Sequence, residues 1–159
     1  MTSEDSVGHF ALPSEPDRKA PPPAQETGRM ESKQERSCVL VVEDDFLIAM
    51  QTDIALRAAG YEVVGPATTA DEAVALARAA QPTLAVMDIR LASTRDGIDA
   101  ARQLYQDFAI RCIFATAHDD AHTRGRAEPY APLGWLRKPY TMPSLVSVVA
   151  EALALLRQS

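Results

Sequence analysis

The chain has 159 residues, 47% of them hydrophobic, which is enough for one domain with a core of its own. Its net charge of −6, with no basic run anywhere, argues against nucleic acid as a direct partner, since phosphate binding needs a basic footprint. No apolar stretch approaches the roughly 20 residues of a membrane span, and the N-terminus lacks the apolar core of a secretory signal, so no membrane partner and a cytoplasmic location are expected.

Residues 1–37 carry Pro13, Pro16, Pro21, Pro22 and Pro23 among mixed charges, with no apolar periodicity. Such a segment buries too little to offset its ordering entropy and is expected to be a disordered tail, with Phe10, Leu12 and Met30 as its possible docking residues. From Cys38 to about Arg157 the pattern changes to apolar runs alternating with amphipathic segments, five βα units of a parallel sheet. The first strand, Cys38 to Val42, ends in Glu43-Asp44-Asp45. Asp45 caps a helix to about Ala59 whose apolar stripe is Leu47, Met50, Ile54 and Ala58, and Gly60 stops it.

A second strand, Tyr61 to Gly65, leads to Thr69 and Glu72, a capping-box pattern, and to a helix ending near Ala80. The third strand, Thr83 to Ile89, is an apolar run that delivers one carboxylate, Asp88, to its end, as expected of a strand buried on both faces. After the loop from Arg90 to Asp96, a helix from Gly97 to about Phe108 turns Ile98, Ala101, Leu104, Tyr105 and Phe108 inward. The fourth strand is Ile110 to Ala115. His118 to Glu128 reads as a poor, short and mobile helix, polar and interrupted by Gly125.

The fifth strand, about Leu133 to Arg137, runs into Lys138-Pro139, and Thr141 caps a last helix, Ser144 to Arg157. Leu145, Val146, Val148, Val149, Leu153, Leu155 and Leu156 give that helix an apolar face about twice the ~100° a surface helix needs, so it is expected to meet a further partner. Cys38 and Cys112 begin two separate strands in no metal-ligand spacing and read as small buried apolar residues.

In an open parallel sheet, ligands sit beyond the carboxyl ends of the strands. If the first and third strands are neighbours, Glu43, Asp44 and Asp88 converge there, and a hard divalent cation, Mg²⁺, relieves their repulsion. A bound metal invites a phosphoryl group. Thr116 and Lys138, at the ends of the fourth and fifth strands, add a hydroxyl and an ammonium that can hold a phosphoryl oxygen on Asp88. Taken singly, each has another reading: Asp44 and Asp45 as helix caps, Asp88 as a turn opener, Thr116 as a strand residue, Lys138 as a surface lysine.

Val41-Val42-Glu43-Asp44-Asp45, Met87-Asp88, Ala115-Thr116-Ala117 and Lys138-Pro139, in this order and spacing, resemble the receiver domain of two-component response regulators. The resemblance covers Cys38 to about Leu156. It implies a flavodoxin-like, doubly wound five-stranded parallel sheet of order 2-1-3-4-5, with Asp88 as phosphoacceptor and with Glu43, Asp44, Asp88 and the Arg90 backbone carbonyl on Mg²⁺. It further implies that Thr116 senses the phosphoryl group, that Lys138 pairs with it through a cis Lys138-Pro139 bond, and that Trp135 is a switch aromatic. Arg90 and His118 fall where the family modulates phosphoryl lifetime. Their bulk is expected to screen the acyl phosphate from water and slow its loss. The loop after Asp88 is a residue longer than in most receivers and has Ala92 where a proline is common, and no Gly or Ser follows Thr116 closely, features of a divergent single-domain subgroup.

The implied function is acceptance of a phosphoryl group from a histidine kinase or a histidine phosphotransfer protein in a bacterial two-component system or phosphorelay, without turnover catalysis. No output domain is expected after Leu156, so the signal would pass by protein contact. Docking is expected through Ile48 and Leu56 of the first helix, and a homodimer through the last helix. The competing class is a receiver-like interaction module that is not phosphorylated. A flavin-binding electron carrier of the same fold is disfavoured by the acids after the first strand, where phosphate cradling needs glycine and hydroxyls.

Overall fold

The computed structural model describes residues 36–118 and 120–158. The expected disordered tail therefore lies, apart from Arg36 and Ser37, outside the described residues. Five parallel strands form one sheet in the order β2-β1-β3-β4-β5. They are β1 (Cys38–Val42), β2 (Glu62–Ala67), β3 (Leu84–Asp88), β4 (Cys112–Thr116) and β5 (Gly134–Arg137). Five α-helices connect and cover them: α1 (Phe46–Ala58), α2 (Ala70–Ala80), α3 (Gly97–Phe108), α4 (Ala121–Ala127) and α5 (Met142–Arg157), with a 3-10 turn at Glu128–Tyr130 after α4. None of these helices is long and apolar enough to cross a membrane.

The two-residue period of the strands divides the core. Leu40, Val42, Ala85, Met87, Cys112 and Phe114 face α2 and α3, whereas Val39, Val41, Leu84, Val86, Ile113 and Leu136 face α1 and α5. Both faces of β3 are covered, and all five of its residues are buried, which is why its sequence is an unbroken apolar run up to Asp88. The caps hold where the sequence places them. Asp45 accepts from the amides of Leu47 and Ile48, and Thr141 from that of Ser144. Thr69 accepts from the Glu72 amide, but the Glu72 carboxylate reaches back one residue further than a capping box requires, to Thr68.

Several expectations are corrected. The α1 stripe is inverted: Leu47, Met50 and Ile54 are exposed, while Ala49, Thr52 and Leu56 are buried. Leu56, expected outward, has no exposed surface. The inward face of α1 carries two small residues, which permit close approach to the sheet. Strand β2 continues past Gly65 through a cis Gly65-Pro66 bond to Ala67. As an edge strand it tolerates a proline that lacks a donor, and a Cβ on Gly65 would lie 2.6 Å from the Val41 carbonyl oxygen. Strand β4 begins at Cys112 rather than Ile110, and α5 begins two residues early at Met142.

The apolar surplus of α5 is largely met within the chain. Val146, Val148 and Leu156 pack against the core it shares with α1, leaving Leu155 as its exposed large apolar residue. Cys112 is buried but Cys38 only half so, and both thiols are free.

Candidate functional site

Register carries the chemistry to one edge. Val42 lies beside Met87, Asp88 beside Ala115, and Thr116 beside Arg137, so the residues that follow these strands emerge together. The amide of Glu43 donates to Ala67 and that of Lys138 to Thr116, extending the ladder one step past the strands. Among the described residues, the buried polar side chains are Glu43, Asp88, Thr116 and Thr52. The first three line one cavity of about 220 Å³ with Asp44, Arg90 and Lys138.

Glu43, Asp44 and Asp88 each present a carboxylate oxygen within 4.8 Å of the others. The Lys138 ammonium bridges two of them, 3.2 Å from Glu43 Oε2 and 3.3 Å from Asp88 Oδ2. One cation against three acids leaves negative charge in a site where Glu43 and Asp88 are 4% and 5% exposed. Burial first, and then the neighbouring Asp88, push Glu43 up to about 7, against the opposing pull of the Asp45 amide and Lys138. Burial alone would lower Lys138, but Asp88 and Glu43 outweigh it and raise its pKa. Hard oxygen donors with uncompensated charge suit a divalent cation such as Mg²⁺, and the triad is able to hold one.

Of the remaining predicted residues, Arg90, Thr116 and Lys138 line the same cavity, whereas His118 and Trp135 are not among its lining residues. The backbone amide of Arg90 donates to Asp88 Oδ1 at 3.3 Å. The Thr116 hydroxyl is engaged by the backbone of exposed His118, accepting from its amide at 3.0 Å and donating to its carbonyl at 3.1 Å. Lys138-Pro139 is cis. Trp135 is half-buried, stacked on Phe114 with ring centroids 5.0 Å apart, and the Arg124 guanidinium lies 4.7 Å above its ring.

Other contributors were not singled out in the sequence. Gly97 packs so closely behind Asp88 that a Cβ there would run into the Asp88 carbonyl. Tyr140, pushed up by burial and by the charge of Glu43, borders a second cavity of about 510 Å³ with Ile48, Gln51, Pro139 and Met142. Its position two residues after Lys138 was the available signal for Tyr140. For Gly97 it was a glycine opening a helix without being its cap.

The sequence profile of the response regulator receiver domain matches residues 39–150. The transcriptional regulatory protein PdtaR of Mycobacterium tuberculosis is 34% identical over 120 residues, 76% of this chain and 58% of PdtaR. The phyllosphere-induced regulator PhyR of Methylorubrum extorquens is 33% identical over 129 residues, 80% of this chain and 48% of PhyR. The chain thus spans about half the length of these curated relatives. Among solved structures, the signal receiver domain of a modulated diguanylate cyclase from Desulfovibrio desulfuricans G20 superposes with a TM-score of 0.71. It is 32% identical, with 78% of this chain and 98% of that one covered.

Proposed function

Since this chain belongs to the response regulator receiver domain family, we propose that Asp88 is a phosphoacceptor that draws its phosphoryl group from a histidine kinase or a histidine phosphotransfer protein. The observation that carries this reading is the Lys138 ammonium held between Glu43 and Asp88, with Asp44 completing the acidic triad. In the transfer, an Asp88 carboxylate oxygen forms a bond to phosphorus as the donor's P–N bond breaks. The electron pair leaves on the imidazole, and an acyl phosphate remains on the protein. The phosphoryl group ends on the chain itself, so this is acceptance rather than turnover.

Glu43, Asp44, Asp88 and the Arg90 carbonyl are the ligands assigned to Mg²⁺, which when bound supplies neutralisation of charge on the phosphoryl oxygens. Lys138 is already within ion-pair distance of the nucleophile and contributes a charge-assisted hydrogen bond to the transferred group. Thr116 must exchange its His118 partners for a phosphoryl oxygen to sense it. Trp135 lies across the β4–β5 pairing from Phe114 and would respond to that exchange, and Arg90 and His118 are assigned the screening of the acyl phosphate.

Docking is assigned to the exposed face of α1, where Phe46, Leu47, Met50 and Ile54 are 76%, 57%, 43% and 61% exposed beside the groove lined by Ile48 and Tyr140. This face replaces the expected Ile48 and Leu56 pair. Incubation with Mg²⁺ and a small phosphodonor such as acetyl phosphate, read by intact-protein mass, tests the acceptor assignment. One added phosphoryl group is expected, absent without Mg²⁺ and absent in Asp88→Asn. Equal labelling of Asp88→Asn, or none of the wild type by any donor, favours the non-phosphorylated interaction module instead.

A further inference from the structure

Helix α4 buries a smaller share of its residues than any other α-helix among the described residues. Of its seven residues only Ala127 is buried. Gly125 sits in its middle, where an added Cβ would meet nothing within 4 Å, so no close approach requires the glycine and its effect is to weaken the helix. A helix this short, with so little apolar burial, belongs to the low-stability end of a fold.

Besides Ala127, which packs in the core, the two arginines flanking that glycine tie the helix to its neighbours. Arg126 makes a two-pronged contact with Asp96, 2.7 and 3.2 Å, and lies 3.7 Å from Asp99. Asp96 and Asp99 form the capping box of α3, whose first residue, Gly97, abuts the Asp88 carbonyl. Arg124 reaches the other way, onto the ring of Trp135, on which Phe114 is also stacked. Thus α4 is tied on one side to the helix start behind Asp88 and on the other to β5. It is also joined to β4 by the short stretch in which His118 holds the Thr116 hydroxyl.

We propose that Arg124 and Arg126 form a two-point clamp that holds α4 in its resting position, and that phosphorylation of Asp88 works against this clamp. The proposal rests on the phosphoacceptor reading above. When the Thr116 hydroxyl leaves the His118 backbone for a phosphoryl oxygen, the start of α4 loses its fixed neighbour and Arg124 comes off Trp135. Contacts made only in the resting state oppose the activated one, so removing them raises affinity for a phosphoryl mimic by the factor they had supplied.

Two arms on the full chain test this. Without ligand, hydrogen exchange of the amides from Asp120 to Tyr130 is expected to be several-fold faster in Arg126→Gln than in the wild type, with the β3 amides unchanged; equal rates overturn the clamp whatever Asp88 does. With Mg²⁺ and beryllofluoride, calorimetric titration is expected to show roughly fivefold tighter binding in Arg126→Gln and Arg124→Gln, with Arg124→Lys nearer the wild type. Trp135, the one tryptophan of the chain, is expected to change emission on binding in the wild type and to respond little in Arg124→Gln. Identical affinities in wild type and variants overturn the coupling. A wild type that binds no beryllofluoride although the exchange arm succeeds overturns the phosphoacceptor reading and the coupling with it, while the resting clamp stands.

Discussion

The ammonium of Lys138 lies 3.3 Å from Asp88 Oδ2, although 50 residues of chain separate them. It lies equally close to Glu43, and its side chain is 23% exposed. The lysine therefore serves two buried acids at once, and its removal leaves both without their cation.

Lys138→Met is expected to lower stability by about 1–3 kcal/mol in metal-free buffer, since an unpaired buried charge retains its desolvation penalty. Saturating Mg²⁺ is expected to restore part of the loss. Urea unfolding with and without Mg²⁺ measures both, and a variant as stable as the wild type in metal-free buffer removes the ion-pair account.

Glu43, raised to about 7, sets a pH dependence. A carboxyl whose folded pKa is raised contributes most below its unfolded pKa, and its contribution is lost as pH climbs through the folded value. Metal-free protein is thus expected to lose about 1–3 kcal/mol from this group between pH 5 and pH 8, a loss that Glu43→Gln abolishes. Because the proton must leave before the metal is bound, Mg²⁺ affinity at pH 6 is expected to be roughly tenfold weaker than at pH 8. Chemical denaturation and Mg²⁺ titration at these pH values are the measurements.

The two faces of α1 are expected to behave oppositely. Leu56→Ala empties a fully buried position and is expected to cost about 2–4 kcal/mol. Ile54→Lys, on the exposed face, is expected to change stability by less than about 0.5 kcal/mol and to slow phosphotransfer from a histidine kinase but not from acetyl phosphate. Slowing with both donors would place the effect in the site rather than in docking.

Thr116→Val keeps the volume and loses the hydroxyl that pairs with the His118 backbone. A stability loss of about 1 kcal/mol is expected, with Asp88 still phosphorylated but Trp135 emission no longer responding. An unchanged emission response would remove Thr116 from the path between the two.

Loss of phosphate is expected to be slow and to speed up several-fold when Arg90 and His118 are both replaced by glycine. Following the phosphorylated species by mass over time checks this. A half-life of seconds in the wild type runs against the screening role.

Asp88, the acids after β1 and the order of the five βα units were legible in the sequence by themselves because each is a local matter. An apolar run buried on both faces shows as uninterrupted hydrophobicity, and Asp45, Thr69 and Thr141 cap helices through neighbours two or three residues away. The inward face of α1 was not legible. Large apolar residues lie around most of that helix, and only its distance from the sheet selects Ala49, Thr52 and Leu56 for burial. The grip of Arg126 on Asp96 spans 30 residues and that of Arg124 on Trp135 spans 11. No periodicity encodes such pairs, since they exist only once α3, α4 and β5 are laid side by side. Tertiary packing likewise decided that Lys138 holds Glu43 as well as Asp88: charge is set residue by residue, but which charges share a dry pocket follows from strand order and register.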